Sequence, residues 1–134
     1  MQLLVNIDVD ELERGIEFYR AAFGLRVRRR LFDGTVAEMI GASSTIHLVA
    51  RSSGGGAYPF ANSTRDYTRH WTPVHLDFEV EDLAAAVKRA VAAGAKLEGK
   101  VQKFAWGRLA SLADPFGHGF CLIKLSKRGY DAAQ

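Results

Sequence analysis

Two stretches of the chain repeat the same order of apolar and polar positions. Residues 5–12 lead into an apolar-periodic helical pattern and a glycine, and residues 75–83 lead into a second such pattern and another glycine. A repeat of this kind indicates two supersecondary units, each with an apolar face that it cannot bury alone. We therefore expect the two copies to pack together or to exchange partners.

Each repeat contains one predicted helix. In the first, Asp10 is a good N-cap and Glu13 follows three residues later, which predicts a helix over about residues 11–23 that ends at Gly24. In the second, the pattern ends at Gly94. The stripes at helical spacing are Leu12, Ile16, Tyr19 and Phe23 in the first helix and Leu83, Val87, Ala90 and Val91 in the second.

Three strand-like stretches follow each helix. Asp33-Gly34 and residues 114–118 have the composition of tight turns between strands. This order predicts an α+β fold made of two β-α-β-β-β modules. The strands are predicted at about 25–32, 35–40 and 45–50 after the first helix and at about 96–104, 107–113 and 119–125 after the second.

We expect a single domain over residues 1–134. Its predicted parts are module 1 at about 1–50, a connecting loop at about 51–72, module 2 at about 73–126 and a C-terminal tail at about 127–134. The loop begins with serine and glycine, but a pure linker would lack its later aromatic residues. A lid and a dimer contact are both compatible with these residues, which are Tyr58, Phe60, Tyr67 and Trp71.

Composition narrows the class of protein. The 48% hydrophobic and 25% charged fractions are those of a soluble globular protein, not of a membrane or disordered one. The first residues lack the basic region of a signal peptide, and the one cysteine, Cys121, cannot form an intrachain disulfide. Both features favour a cytoplasmic location.

The charge of the chain is mild. Its net value is +3, and the dense basic run is confined to residues 26–30. On a strand, Arg26, Arg28 and Arg30 would share one face, where they would discourage aggregation at a sheet edge. A nucleic-acid surface would need a wider basic face with interleaved aromatic residues, so we expect no nucleic-acid partner and no membrane partner.

A combined motif spans most of the chain. It consists of residues 10–19 with Phe23-Gly24-Leu25, then Val74-His75-Leu76-Asp77-Phe78, then Trp106-Gly107-Arg108 leading to residues 114–120. With this motif the chain resembles the vicinal oxygen chelate superfamily, which includes glyoxalase I, fosfomycin-resistance enzymes, extradiol dioxygenases and bleomycin-resistance proteins. The resemblance implies an open curled mixed sheet with helices on its convex side and a divalent metal on its concave face.

The resemblance also implies where metal ligands would lie. The first-strand positions fall on Leu4 and His75, and the last-strand positions fall on His47 and Cys121. Members that bind metal usually carry His or Gln at the first-strand positions and Glu at the last-strand positions. Only His75 follows that rule, because leucine offers no donor atom and the two carboxylates are absent.

Strand alternation independently groups several polar side chains. His47 faces away from the helix if its neighbours Ile46 and Leu48 pack against it. Around Cys121, the neighbours Phe120 and Leu122 would likewise face the helix. In the second copy, Val74, Leu76, Phe78 and Val80 are predicted as core, which places His75, Asp77 and Glu79 on the other face.

Several interpretations of His47, His75 and Cys121 compete. They could hold a divalent metal, and a cysteine ligand would favour zinc. Cys121 could instead act as a thiolate activated by one of the histidines. We favour a pocket without metal, in which these residues and Asp77 orient a small organic ligand. A purely structural role for buried polar groups is the remaining interpretation.

Trp106 and Arg108 are a further pair of candidates. Two residues apart on a strand, they would share a face and could stack a planar or anionic ligand. An equally good interpretation is a rim tryptophan that covers the core beside a solvated arginine.

The predicted function is therefore that of a glyoxalase-like or bleomycin-resistance-like protein that binds a neutral or anionic small molecule, with no cofactor expected. The alternative is a divalent-metal-dependent lyase, isomerase or dioxygenase of the same superfamily. The exposed sheet edges of such modules also predict an isologous homodimer.

Overall fold

The computed structural model describes residues 1–56 and 62–134, and the predicted loop aromatics Tyr58 and Phe60 lie outside these ranges. The chain forms two compact units, Met1–Thr68 (unit 1) and Arg69–Gln134 (unit 2). Each unit contains one α-helix and one mixed four-stranded sheet. The predicted α+β class and the repeated β-α-β-β-β order are confirmed.

Unit 1 is built around the helix α1. Its sheet has the order β1-β4-β3-β2, in which β1 runs parallel to β4 and the other neighbours are antiparallel. The elements are β1 (Leu4–Val9), α1 (Leu12–Phe23), β2 (Arg26–Leu31), β3 (Val36–Ile40) and β4 (Thr45–Ala50).

Unit 2 repeats this plan. Its sheet has the order β5-β8-β7-β6, again with one parallel pair, β5 with β8. The elements are β5 (Leu76–Glu79), α2 (Leu83–Ala93), β6 (Lys96–Phe104), β7 (Gly107–Ala113) and β8 (Gly119–Leu125), followed by a short 3-10 helix at Gly129–Ala133.

The core of each unit lies between its helix and one face of its sheet. In unit 1, α1 contacts β2, β3 and β4, and Phe18, Met39 and Leu48 are fully buried there. Ile46 and Leu48 are buried while His47 between them is only half-buried, so the predicted alternation of β4 is confirmed. The helix therefore covers one face of the sheet and leaves the other face for polar side chains.

The turn at residues 114–118 joins β7 to β8. Asp114 is buried, and its Oδ1 accepts hydrogen bonds from the backbone N–H groups of Phe116 at 2.8 Å and His118 at 2.9 Å. Phe116 is fully buried in the core of unit 2. The predicted turn is present, and a buried carboxylate holds its backbone in place.

The turn between β2 and β3 is also present, with its centre one residue earlier than predicted. The N–H of Gly34 donates to the carbonyl of Leu31 at 3.1 Å, and Phe32 and Asp33 at the centre have φ angles of 51° and 53°. A bulky residue such as phenylalanine rarely adopts this left-handed conformation.

The helix ends differ in detail from the prediction. The predicted cap at Asp10 is wrong, because the Glu11 carboxylate accepts from the N–H groups of Glu13 at 3.1 Å and Arg14 at 2.7 Å. Asp10 instead lies 3.6 Å from the Arg14 guanidinium. In α2 the predicted stripe residue Val91 is 46% exposed, and Val74, predicted as core, is 76% exposed because β5 begins only at Leu76.

The connecting segment folds against unit 1 over its first part. Arg65 exchanges backbone hydrogen bonds with Gly54 and Gly55, and its Nε lies 2.6 Å from the Asp8 carboxylate. The Tyr67 hydroxyl donates to the Arg51 carbonyl at 2.6 Å. In the described ranges the longest helix, α1, has 12 residues, and no helix is long and apolar enough to cross a membrane.

Candidate functional site

Unit 1 contains a cavity of about 690 Å³ on the sheet face that α1 does not cover. One part of its lining is apolar and the other part is charged or hydrogen-bonding. The apolar lining residues are Leu4, Leu31, Phe32, Val36 and Val49, and the polar ones are Gln2, Asn6, Arg28, Arg29, Thr35, Glu38, Thr45, His47 and Arg51.

A buried carboxylate organises the polar part of this cavity. The Glu38 side chain is 6% exposed, and Arg29 contacts it through Nε at 3.1 Å and Nη2 at 3.0 Å. The Nε atom of Arg28 lies 3.5 Å from the same carboxylate, and the Nε2 atom of His47 lies 3.4 Å from it. Paired hydrogen bonds from one guanidinium fix the orientation of Glu38 as well as its charge.

A β-bulge explains why two consecutive arginines reach one carboxylate. The pairing of β2 with β3 shifts between Val27 and Arg29, so the strict alternation of side chains fails at Arg28. The predicted common face of Arg26, Arg28 and Arg30 is therefore wrong. Arg28 reaches Glu38, whereas Arg30 pairs with Glu13 of α1 at 2.7 Å.

Glu38 remains ionised in this environment. The hydrogen bonds from Arg29 hold the pKa of the Glu38 carboxyl below its usual value, against the opposing effect of burial, and His47 and Arg28 contribute in the same direction. A carboxylate with a lowered pKa is a poor proton acceptor near neutral pH. Glu38 thus suits a fixed hydrogen-bond acceptor better than a general base.

The apolar part of the cavity lies at its rim. Phe32 is 75% exposed and stands in the left-handed conformation, and Leu4 is 49% exposed. Strained residues and exposed large apolar side chains both concentrate at binding sites. This edge of the cavity offers a flat apolar surface next to the charged residues.

Unit 2 brings together three other predicted residues. The Nε2 atom of His75 lies 3.2 Å from the Asp77 carboxylate, and the donor atoms of His75, Asp77 and Cys121 all lie within 4.8 Å of one another. Asp77 stands opposite Cys121 in the parallel pairing of β5 with β8. His47 belongs to unit 1, so the predicted set of His47, His75 and Cys121 is divided between the two units.

The Cys121 thiol is not activated in this structure. Burial raises its pKa, the nearby Asp77 raises it further, and a contact with the Ser111 hydroxyl at 3.9 Å opposes these effects. A nucleophilic cysteine needs the opposite shift, because the thiolate is the reactive form. The interpretation of Cys121 as a nucleophile therefore has no support from its surroundings.

The two units differ in their fit to a divalent metal. In unit 1, Leu4 offers no donor, and the carboxylate beside His47 is already held by Arg29, so this face does not fit the metal that the superfamily implies. In unit 2, an imidazole, a carboxylate and a thiol within 4.8 Å are a donor set suited to zinc. Asp77 replaces His47 as the third donor of the predicted metal set.

A smaller cavity of about 140 Å³ adjoins His75 and Cys121, and the start of unit 2 lies over it. Arg69 pairs with Glu98 at 2.8 Å, and its guanidinium lies directly against Gly119, where a Cβ atom would be 2.5 Å from Nη2. Trp71 also lines this cavity and is 79% exposed. The segment from Arg69 to Trp71 thus occupies space above β8 that a larger ligand would need.

Trp106 lies in the turn before β7 and not on the strand, so the predicted common strand face with Arg108 is wrong. Its ring stacks on Phe104 at 4.9 Å and contacts Tyr130 of the C-terminal tail at 5.3 Å. Arg108 is exposed on β7, opposite Lys103 and Lys124 of its neighbouring strands. Ligand-binding roles for Trp106 and Arg108 stay predictions.

Sequence reasoning missed the residues that organise the unit 1 cavity. Glu38 is a lone charge within the apolar strand Val36–Ile40, which was a detectable signal that a cation must stand nearby. Which cation it would be depends on the β2–β3 register and its bulge. The sequence does not display that register.

Relatives of the chain place it in a family. The glyoxalase-like domain family matches residues 4–123. The anthracycline biosynthesis protein DauV of Streptomyces sp. (strain C5) is 30% identical over 129 residues, covering 96% of this chain and 42% of DauV. DnrV of Streptomyces peucetius, also an anthracycline biosynthesis protein, is 41% identical over 64 residues, covering 48% of this chain and 22% of DnrV. The chain thus spans less than half the length of these relatives.

Solved structures show the same fold at low sequence identity. The fosfomycin resistance protein FosX from Listeria monocytogenes has a TM-score of 0.72 at 14% identity and covers 96% of this chain and 95% of FosX. TioX from Micromonospora sp. ML1 has a TM-score of 0.68 at 18% identity and covers 94% of this chain and 99% of TioX. The chain therefore belongs to the glyoxalase-like domain family and has the fold of the vicinal oxygen chelate superfamily.

Proposed function

We propose that this protein binds a small organic molecule, neutral or anionic, in the unit 1 cavity, without the metal usual in the superfamily. The observation that carries the proposal is the cavity itself, whose volume of about 690 Å³ lies in the range of small-molecule sites. Such sites combine apolar walls with a few fixed polar groups. Glu38 held by Arg29, next to Leu4 and Phe32, has this composition.

The polar groups are preorganised for binding. Arg29 fixes Glu38 through two hydrogen bonds, so little side-chain freedom is lost when a ligand contacts this pair. His47 lies against the same carboxylate and limits its movement from the β4 side. A ligand with several oxygen atoms would find donors and acceptors at defined positions, and its apolar body would cover the rim.

The curated relatives support an aromatic, oxygen-rich ligand. DauV and DnrV are described as anthracycline biosynthesis proteins, and anthracyclines contain a flat anthraquinone ring system. A flat ring matches the exposed apolar surface of Leu4 and Phe32. We therefore propose anthraquinone derivatives as the first compounds to examine.

The test is a fluorescence titration and a thermal unfolding series with anthraquinone-2-carboxylate and anthraquinone-2-carboxamide on protein treated with a chelator. We expect saturable binding of at least one compound with one site per chain. At a ligand concentration 100-fold above Kd, the folded state should gain about 2.7 kcal/mol. Absence of saturable binding by both compounds would contradict the proposal.

Two neighbouring leucines provide a matched control. Leu4 lines the cavity and Leu3 does not, and both side chains are largely exposed, at 49% and 68%. We expect Leu4→Gln to weaken binding several-fold through lost apolar contact, whereas Leu3→Gln should leave Kd unchanged. Equal effects of the two substitutions would place the ligand elsewhere.

A second candidate function rests on unit 2. The close approach of His75, Asp77 and Cys121 favours a metal-dependent lyase, such as a glyoxalase-like enzyme, or an isomerase or dioxygenase. A zinc ion held there would polarise a substrate oxygen. Metal analysis of untagged protein, followed by zinc, nickel, manganese and iron titrations of the wild type and His75→Ala, tests this function. Stoichiometric binding that is lost in His75→Ala would make it the preferred one.

We also propose an isologous homodimer. The outer strand β6 of unit 2 carries the exposed apolar side chains of Leu97, Val101 and Phe104, a pattern that favours burial against another chain. Sedimentation velocity should give a single species of twice the chain mass. A monomer at micromolar concentration would contradict this proposal.

A further inference from the structure

We infer that the unit 1 cavity selects ligands that carry an acidic oxygen, a carboxylate or an ionised phenol, and that Arg28 contacts this oxygen and determines the selection. The inference rests on the proposed function, since it names the class of ligand for the same cavity. It depends on the count of charges in the lining, on the partners of each arginine and on the bulge in β2.

The cavity has more positive than negative groups. Its lining contains the three guanidinium groups of Arg28, Arg29 and Arg51, and Glu38 is the one carboxylate among the lining residues. One guanidinium balances Glu38, so the lining carries an excess of two positive charges before His47 is considered. A cleft with an excess of one sign concentrates ligands of the opposite sign.

The three arginines are not equally occupied. Arg29 uses Nε and Nη2 to hold Glu38, and Arg51 donates from Nη1 to the carbonyl of Ala50. Arg28 approaches Glu38 only through Nε, at 3.5 Å, and its two terminal nitrogens make no hydrogen bond to the residues that the structure describes. Arg28 can therefore offer both terminal nitrogens to a ligand while Glu38 keeps its pair with Arg29.

The bulge supplies this additional cation. In a regular strand, Arg28 and Arg29 would point to opposite faces, and Arg28 would lie away from Glu38. The shift of register between Val27 and Arg29 brings both side chains to the same carboxylate. Bulges commonly redirect a side chain next to a binding site.

Guanidinium chemistry defines the ligand class. A planar fork of N–H donors matches a carboxylate or a phenolate and forms charge-assisted hydrogen bonds with it. A neutral analogue of the same shape keeps its contacts with the rim but loses the charge-assisted part. A cationic analogue would meet the excess positive charge of the lining.

The test compares two probes of nearly equal shape, anthraquinone-2-carboxylate and anthraquinone-2-carboxamide, on the wild type, Arg28→Met and Arg26→Met. Arg26 is the matched control, because it lies on the same strand, is exposed and does not line the cavity. Kd is measured by fluorescence titration at low and at physiological salt. Circular dichroism of each variant verifies that it is folded.

We expect the wild type to bind the carboxylate about tenfold more tightly than the carboxamide, which corresponds to about 1.4 kcal/mol. Arg28→Met should remove most of this preference and leave the Kd of the carboxamide nearly unchanged, and Arg26→Met should keep the preference. Added salt should weaken carboxylate binding in the wild type more than in Arg28→Met.

Two results would overturn the inference in distinguishable ways. If both probes bind the wild type equally, or if Arg28→Met and Arg26→Met reduce the preference equally, the acidic-oxygen inference is wrong and the proposed function stands. If neither probe binds the wild type, the proposed function is contradicted and this inference with it.

Discussion

Replacement of Asp114 by alanine tests how the turn between β7 and β8 is held. Its Oδ1 accepts two backbone hydrogen bonds, at 2.8 Å from Phe116 and 2.9 Å from His118, and the residue is 5% exposed. Alanine removes the acceptor and leaves two donors without this partner. Because water has little access to the site, both losses should appear in the free energy of unfolding.

The magnitude follows from those two hydrogen bonds. A hydrogen bond to a charged group contributes about 1.5–3 kcal/mol, and the contributions are not fully additive, so Asp114→Ala should destabilise the protein by about 3 kcal/mol. Asp114→Asn is the matched control, since it keeps an acceptor oxygen of similar geometry without the charge. Neutral hydrogen bonds are roughly half as strong, so this variant should lose only about 1 kcal/mol.

Urea denaturation followed by circular dichroism measures both variants. With an m-value of about 2 kcal/mol/M, the midpoint should fall by about 1.5 M for Asp114→Ala and by about 0.5 M for Asp114→Asn. The reasoning would be refuted if Asp114→Ala unfolded within 0.5 kcal/mol of the wild type, a threshold typical of neutral surface changes. Equal losses in the two variants would show that the charge, and not the acceptor geometry, holds the turn.

Three further predictions concern single residues. The pKa of Glu38 is lower in the folded protein than its ordinary value of 4.5, so its stabilising contribution is complete above that value and is lost as pH falls through the lowered pKa. The stability difference between the wild type and Glu38→Gln, measured by urea denaturation from pH 7 to pH 3, should therefore shrink on acidification, and a constant difference would disprove this. The pKa of Cys121 is raised by burial, so Ellman's reagent should label the native protein at pH 7 several-fold more slowly than the urea-unfolded protein, and equal rates would contradict the environment described. A Cβ atom at Gly107 would lie 2.4 Å from the backbone oxygen of Lys124, so Gly107→Ala should cost about 3 kcal/mol in thermal or urea unfolding, and a stable variant would show that β7 and β8 can move apart there.

Much of the fold could be predicted from the sequence because its signals are local. The strands of unit 2 begin and end at the predicted residues, since apolar alternation and the turn at residues 114–118 mark them. Helix ends at Gly24 and Gly94 follow from the left-handed conformation, with φ angles of 70° and 119°, that glycine adopts readily. Such features depend on neighbours a few residues away.

The parts that sequence reasoning missed depend on pairing between strands. Nothing local in residues 26–30 reveals the bulge, because it is defined by the register of β2 against β3. The same holds for the contact between Arg29 and Glu38, which lie nine residues apart in the chain. His47 was grouped with His75 and Cys121 by alternation alone, whereas its contact in the structure is with Glu38.

The cap of α1 was missed for a different reason. Asp10 and Glu11 are adjacent acids, and both can serve at a helix N-terminus. The longer side chain of Glu11 reaches the N–H groups of Glu13 and Arg14, while Asp10 pairs with the Arg14 side chain. A choice between two similar local solutions depends on backbone angles that the residue types do not specify.

The most direct test of the central claim, that unit 1 holds the ligand and needs no metal, is a titration of chelator-treated, ¹⁵N-labelled protein with anthraquinone-2-carboxylate, followed by amide chemical shifts. The account predicts saturable shifts that concentrate at Leu4, Glu38 and His47, with His75 and Cys121 nearly unchanged. Shifts centred on His75 and Cys121, or shifts that appear only after zinc is added, would contradict it.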